Sequence, residues 1–188
     1  VFDIDASDRG DRVYIAGWFT TINNIGGELY ATRISDGAPL TNFHWLRTWS
    51  GSSGTYNQTV HEVGDQVFIG GREHFFSAYD RNTGARTQAN LTVQGGDFQD
   101  AESAFGYMFG ACHCSGNDAV NLSGRTLYTG NNRTLDNGAT RSDRFQQMGL
   151  YDGASGKYLD WWLPSISTET GDGPWRLTMD SNECIWEG

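Results

Sequence analysis

The sequence predicts an all-β fold: a β-propeller of four-stranded antiparallel blades, present as three blades and the start of a fourth. Three observations carry the prediction. A phrase recurs: Gly64-Asp65-Gln66-Val67-Phe68-Ile69-Gly70-Gly71 repeats Gly10-Asp11-Arg12-Val13-Tyr14-Ile15-Ala16-Gly17, and Gly106-Tyr107-Met108-Phe109-Gly110-Ala111 is a reduced copy. Each is a turn followed by an apolar run too short for a helix. The composition agrees, because 25 Gly against 3 Pro point to many tight turns, and 37% hydrophobic with 13% aromatic residues excludes a disordered chain. A hairpin signal then follows each copy, at Asp36-Gly37, Asn82-Thr83-Gly84 and Ala154-Ser155-Gly156. A β-sandwich, the other all-β candidate, has no need for copies of one phrase.

In chain order, Val1 to Asp8 alternates apolar and polar residues as a half-buried strand does. Arg12 to Ala16 is the second strand, Leu29 to Ile34 the third, and Leu40 to Leu46 the fourth. The second unit repeats the order with Thr59 to Val63, Gln66 to Gly71, Phe76 to Asp80 and Ala85 to Leu91. The third has Asp97 to Glu102, Tyr107 to His113, Met148 to Asp152 and Lys157 to Trp162. A fourth begins at Gly173 and reaches its second strand at Cys184-Ile185-Trp186. The whole of 1–188 is read as part of one propeller domain, with blades at 1–56, 57–95, 96–170 and an incomplete 171–188. Because the chain opens and closes in mid-strand, it is expected to be a piece of a longer polypeptide.

Spacing tests the registration. Val13 to Val67 is 54 residues and Val67 to Tyr107 is 40, whereas the hairpin glycines Gly37, Gly84 and Gly156 are 47 and 72 apart. The excess is an insertion at 115–143, whose Gly, Asn, Ser and Thr predict a surface loop. A rival registration makes Arg125 to Gly130 the second strand of the third unit, but leaves Tyr107 to His113 without a role.

Twenty-three acidic against thirteen basic residues, a net charge of −10, would repel a phosphate backbone, so nucleic acid is excluded as a partner. No run of eighteen apolar residues marks a membrane span. Cys112, Cys114 and Cys184 make an odd count, so one thiol is free, metal-bound or paired elsewhere. Asn57, Asn90, Asn121 and Asn132 head glycosylation sequons, which matter if the chain passes through a secretory pathway.

In a propeller, loops between second and third strands share one rim with the links between blades. This places Trp18, Arg72, Glu73, His74 and His113 together as candidate ligand-binding residues. With Cys112 and Cys114, His74 and His113 also form a donor set for zinc or copper. Against the metal, there is no Cys-x-x-Cys pair, and a bridge from Cys112 or Cys114 to Cys184 is the competing expectation. Asp3, Asp5, Asp8 and Asp11 resemble a calcium loop but lack its spacing and terminal Glu, so a solvated strand edge is expected there. No cofactor is expected beyond such a calcium or zinc ion. His44 and His61 read as hydrogen-bonded packing residues. Trp161, Trp162 and Trp175 are expected between blades; Trp18, Trp45 and Trp49 are the candidates for exposure and glycan contact. No Gly-x-Ser-x-Gly elbow, phosphate loop or metalloprotease His pair occurs.

The phrases Gly10 to Thr20, Leu29 to Leu40 and Phe76 to Gly84 resemble repeats of secreted actinobacterial-type bacterial surface proteins, which often sit beside laminin-G-like or polycystic-kidney-disease-type modules. Gly106 to Cys114, Gly149 to Asp152 and Gly171 to Trp186 resemble later units of that group. The resemblance covers most of the chain except the insertion, and it implies a propeller and an extracellular or cell-surface setting. Its motifs identify a repeat and carry no catalytic residue. Ala16 departs from the usual glycine, and Cys184 from a usually apolar position, which suggests a disulfide particular to this protein.

The function expected is a non-enzymatic binding or adhesion module, or a structural subunit of an extracellular assembly, with other protein chains or extracellular glycan as partners. The alternative is a polysaccharide-acting hydrolase or lyase using carboxylates such as Asp97, Glu102 or Asp143.

Overall fold

The computed structural model describes residues 1–19, 21–22, 25–26, 29–43, 56–71, 75–120, 127–129, 132–134, 140–159, 161–162 and 173–188. The fold is all-β. The first unit holds β1 (Asp3–Ala6), β2 (Arg12–Ala16), the short β3 (Thr21–Ile22) and β4 (Ile25–Gly26), and β5 (Leu29–Arg33). Next come β6 (Asn57–Val63), β7 (Gln66–Gly71), β8 (Phe75–Asp80), β9 (Arg86–Ala104) and β10 (Tyr107–Val120). The last are β11 (Leu127–Thr129), β12 (Asn132–Thr134), β13 (Thr140–Asp152), β14 (Leu177–Met179) and β15 (Ile185–Glu187). All pairing is antiparallel, in sheets ordered β1-β2-β5, β13-β10-β9-β8-β7-β6 and β14-β15, with β3-β4 and β11-β12 as separate hairpins.

The repeat inferred from sequence is present at the level of single atoms. Gly37, Gly84 and Gly156 have φ of 68°, 70° and 74°. Each donates its N–H to the carbonyl four residues back, on Arg33, Asp80 and Asp152, at 3.0, 2.8 and 2.8 Å. In two of these turns the aspartate forms a local cradle. Asp80 Oδ1 accepts from Thr83 N and Oγ1, and Asp152 Oδ1 from Ser155 N and Oγ. These bonds hold both carboxyls below the usual range.

Strand alternation then sends neighbouring side chains to opposite faces, and both faces of the middle units are buried. On β7, Val67 and Ile69 pack with Tyr14, Leu29 and Phe43 of the first unit, while Phe68 packs with Phe98, Met108 and Tyr151 of the third. Phe109, Met148 and Leu150 in turn pack with Leu177 and Ile185. The result is a stack of sheets, each burying apolar side chains worth about 1.5–3 kcal/mol apiece. Two glycines let the second and third units approach closely. A Cβ on Gly70 would sit 2.7 Å from Phe98 Cβ, and one on Gly110 2.9 Å from Phe76 Cε1. Phe76 and Phe98 stack there at 4.7 Å.

Several expectations change. The fourth strand expected from Leu40 begins instead as a single bridge, Thr32 with Pro39, followed by a 3-10 turn at Thr41–Phe43. The turn buries Phe43 and lets Asn42 Nδ2 donate to Asn82 O at 2.7 Å in the next unit. The boundary expected at 95/96 falls inside β9, which pairs with β8 between Arg86 and Leu91 and with β10 from Ala89 to Ala104. The insertion is not simply a loop: β10 and β13 stay laddered out to Ala119 and Thr140, beyond register shifts between Ala111 and Asn117. Tyr107–Val120 is thus the second strand of the third unit, and Leu127–Thr129 pairs only with Asn132–Thr134 among the described residues.

Candidate functional site

The first strands of successive units lie side by side and run the same way, because the residue numbers joined across them rise together. Val60 N–H donates to Asp3 Oδ2 at 2.8 Å and Glu62 N–H to Asp5 Oδ2 at 3.3 Å. Between the second and third units, Gln58 Nε2 donates to Gln99 Oε1 at 2.9 Å. Leu177 N–H donates to Asp100 Oδ2 at 2.8 Å, repeating the Asp3 contact at the boundary of the third and fourth units. Asp3 and Asp5 therefore clasp a neighbouring unit, not the solvated edge expected for them.

At the centre of this polar wall is His61, held between units. Its Nδ1 lies 3.5 Å from Asp5 Oδ1, and its Nε2 lies 3.0 Å from Ser103 Oγ and 3.8 Å from Glu102 Oε1. Burial pushes the Asp5 carboxyl up to about 6, against the pull of the His61 imidazole and the Glu62 N–H. Burial also raises Asp100, partly offset by the N–H groups of Leu177 and Ala101. His61 is hydrogen-bonded, as expected for it, and its ring reaches side chains of both flanking units. Asp5, His61 and Glu102 stand at one position of the repeat, as the ladders Ile4 with Ile15, Val60 with Ile69 and Ala101 with Gly110 show. Superposing the repeat phrases at Val13 and Val67 sets Asp5 against Thr59, because the turn of the first unit is longer, so only the strand ladders bring the trio into line.

The predicted rim residues lie just past the end of β2 and midway along β10. Trp18 is 65% exposed and stacks on Tyr56 with ring centres 6.3 Å apart, and Phe2 meets the other end of this cluster at 5.3 Å from Tyr56. The Tyr56 hydroxyl donates to Asp97 Oδ2 at 2.9 Å. An exposed indole and a phenol of the first unit and a carboxylate of the third thus share one edge. His113, at the position in the third unit that Trp18 holds in the first, meets Trp175 edge-on at 4.3 Å. Gly173 brings that segment in, since a Cβ there would be 2.1 Å from Cys112 O.

Of the predicted rim residues, Trp18 follows the end of β2, His113 lies inside β10 and not at its end, and Arg72, Glu73 and His74 lie outside the described residues. Cys112 is bridged to Cys114, and Cys184 is an exposed free thiol. The expected bridge to Cys184 is replaced because residues two apart on a strand point to the same side, within reach of each other. Bridged, the two sulfurs offer no thiolates to zinc, and no group of three His, Cys, Asp or Glu is placed to hold an ion among the described residues. Asp97 and Glu102 are five residues apart on β9, about 16 Å at ~3.3 Å per residue. That exceeds the ~5–9.5 Å that separates paired glycosidase carboxyls. The side chain of Asp143 lies outside the described residues, as do Trp45, Trp49 and His44.

Two sequon asparagines are buried. Asn90 is fully covered, with Nδ2 donating to Phe76 O at 3.1 Å and Gly156 O at 2.9 Å, and Asn57 is 1% exposed. Neither amide is open to a glycosyltransferase in the folded chain. Asn121 and the Asn132 side chain lie outside the described residues. Among the indoles, Trp162 packs edge-on to Phe109 at 5.3 Å as expected, but Trp161 and Trp175 are 62% and 59% exposed. No helix is long and apolar enough to cross a membrane among the described residues. No protein-family model matches the chain, and neither does any curated protein. What the site can do therefore rests on its own geometry.

Proposed function

We propose that the chain is part of a β-propeller, secreted or displayed at a cell surface, that acts as a non-enzymatic binding or adhesion module. The sheets stacked on both faces, with polar first strands side by side, support the architecture. The repeats' resemblance to bacterial surface proteins supports the setting.

The observation that carries the binding role is the Trp18, Tyr56 and Asp97 edge. A sugar ring presents an apolar face to an indole and hydroxyls to a carboxylate, so extracellular glycan is the ligand class this edge suits. Glycan-array screening followed by calorimetry tests it. Trp18→Ala, at an exposed position, is expected to keep the fold and weaken binding at least tenfold. An intact chain that binds no glycan, or a variant that binds as well, would refute the reading.

A second reading is favoured by Ser103, His61 and Asp5, whose order matches nucleophile, base and orienting carboxylate. Hydrolysis of an ester or glycan by the intact chain, lost in Ser103→Ala, would displace the non-enzymatic reading.

A further inference from the structure

The β10 strand is buckled where its two cysteines lie. Its ladder with β13 runs unbroken from Tyr107 with Asp152 to Ala111 with Met148, then resumes at Ser115 with Gln146. Cys112, His113 and Cys114 therefore face the single residue Gln147, whose φ of 57° lies in the left-handed region. A second shift, between Ser115 and Asn117, takes the excess back. Both flanks share one register: the ladder from Tyr107 to Ala111, continued without a shift, arrives at the observed pair of Asn117 with Ser142.

The bridge accounts for the buckle. Cys112 and Cys114 have Cα atoms 5.2 Å apart, whereas two residues of extended strand span about 6.6 Å. Closing the bridge draws the strand in, and β9 follows with register shifts of its own on either side of Cys112. The buckle is also a seat for the fourth unit. A Cβ on Gly173 would stand 2.1 Å from Cys112 O and 3.1 Å from His113 Cα, and the His113 ring meets Trp175 at 4.3 Å.

We infer that the Cys112–Cys114 bridge is a redox-operated register switch. Oxidised, it holds β10 in the buckle on which residues 173–175 are seated. Reduced, β10 extends along the register its flanks already share, Cys112 pairs with Gln147 and Cys114 with Phe145, and residues 173–175 lose their seat. The reductant is a dithiol, which supplies two electrons and two protons. Its thiolate attacks one sulfur of the bridge, forming a mixed disulfide and releasing the other cysteine as a thiol. Its second thiol then displaces the remaining cysteine, and the reductant leaves as a cyclic disulfide. The cysteines are 0% and 4% exposed, so attack passes through local opening, which the interrupted ladder with β13 favours. The inference rests on the β10 ladder and not on the glycan reading.

Hydrogen–deuterium exchange of the full chain, read peptide by peptide before and after treatment with dithiothreitol, tests it. Thiol counting confirms the reduction, and circular dichroism is the fold control. After reduction the amides of 112–116 and 143–147 are expected to exchange at least tenfold more slowly, as the ladder closes, and those of 173–175 at least tenfold faster. Cys112→Ala combined with Cys114→Ala should show the reduced pattern without reductant; if that variant does not fold, the reductant arm decides alone. A bridge that is reduced only when the chain unfolds would overturn the inference, as would unchanged exchange in these stretches once it is reduced. Loss of protection along the whole of β9, β10 and β13 would also overturn it and leave the bridge a plain brace.

Discussion

The Tyr14 hydroxyl donates to Glu62 Oε2 at 2.6 Å, across the boundary between the first and second units. Arg81 Nε donates to the same oxygen at 3.0 Å, and Arg81 Nη2 reaches Asp11 Oδ1 at 2.7 Å. Glu62 is 1% exposed, so its charge depends on these two donors. Removing one partner of a buried ion pair costs about 3–5 kcal/mol, whereas losing a neutral donor to a charged group costs about 1.5–3 kcal/mol. Urea unfolding should therefore show Arg81→Met as the more damaging change and Tyr14→Phe as the milder. The reverse order would show that the tyrosine, not the arginine, balances Glu62.

Gly70 is expected to be intolerant of a single methyl. A Cβ there meets Phe98 Cβ at 2.7 Å and Phe76 Cδ2 at 2.8 Å, in a layer without a flexible chain end to move aside. Overpacking of this kind costs about 1–3 kcal/mol. Gly10→Ala, where nothing lies within 4 Å and only a φ of 65° is unfavourable, should cost about 1 kcal/mol. Thermal melts of the two variants side by side decide the matter; equal losses would mean the units are not closely packed at Gly70.

Asp5 should make stability depend on pH in a defined window. Its folded carboxyl titrates at about 6 against an ordinary 3.8, so the folded chain holds the proton more tightly than the unfolded one. The ionised form is the disfavoured one. Stability falls as pH rises from about 4 to 6, and the full cost is present above 6. Two units at ~1.4 kcal/mol each set an upper bound, and part exposure of the carboxyl reduces it to about 1 kcal/mol. Asp5→Asn should raise the melting temperature above pH 6 and leave it unchanged below pH 4. A gain confined to acid pH would contradict this sign.

Thiol counting checks the cysteine pairing. The denatured, unreduced chain should react with one equivalent of thiol reagent, at Cys184, and the reduced chain with three. Labelling of Cys112 or Cys114 without prior reduction would remove the bridge.

Secretion from a glycosylating host should leave Asn57 and Asn90 bare in peptide maps. Asn90→Ala should destabilise by leaving the Phe76 and Gly156 carbonyls without their donor, at about 1–3 kcal/mol. Glycan found on Asn90 would mean that the amide is modified before that region folds.

Strand positions were readable because their causes are local. The turn glycines at 37, 84 and 156 announce themselves by their neighbours, and the short apolar run from Gln66 to Gly71 needs no knowledge of the rest of the chain. The insertion was misread because Gly, Asn and Ser are loop-formers by propensity, while the ladder from Asn117 to Ala119 against Thr140 to Ser142 comes from pairing with an already formed strand. Within the strand expected from Leu40, the described part up to Phe43 failed for the opposite reason: its apolar pattern suited a strand, but Phe43 fills the core from a 3-10 turn. The Asp5, His61 and Ser103 group was hidden because its members come from three units, 56 and 42 residues apart.

By itself the sequence determined the repeat, the strand order and the turns, since each depends on residues within a few positions of one another. Tertiary structure alone decided which side chains meet across units: His61 between two carboxylates, Asn90 sealed under Gly156, Cys112 closed on Cys114. The reason is that stacking one sheet on the next brings distant residues together through shape and burial, and those depend on every side chain in the layer at once.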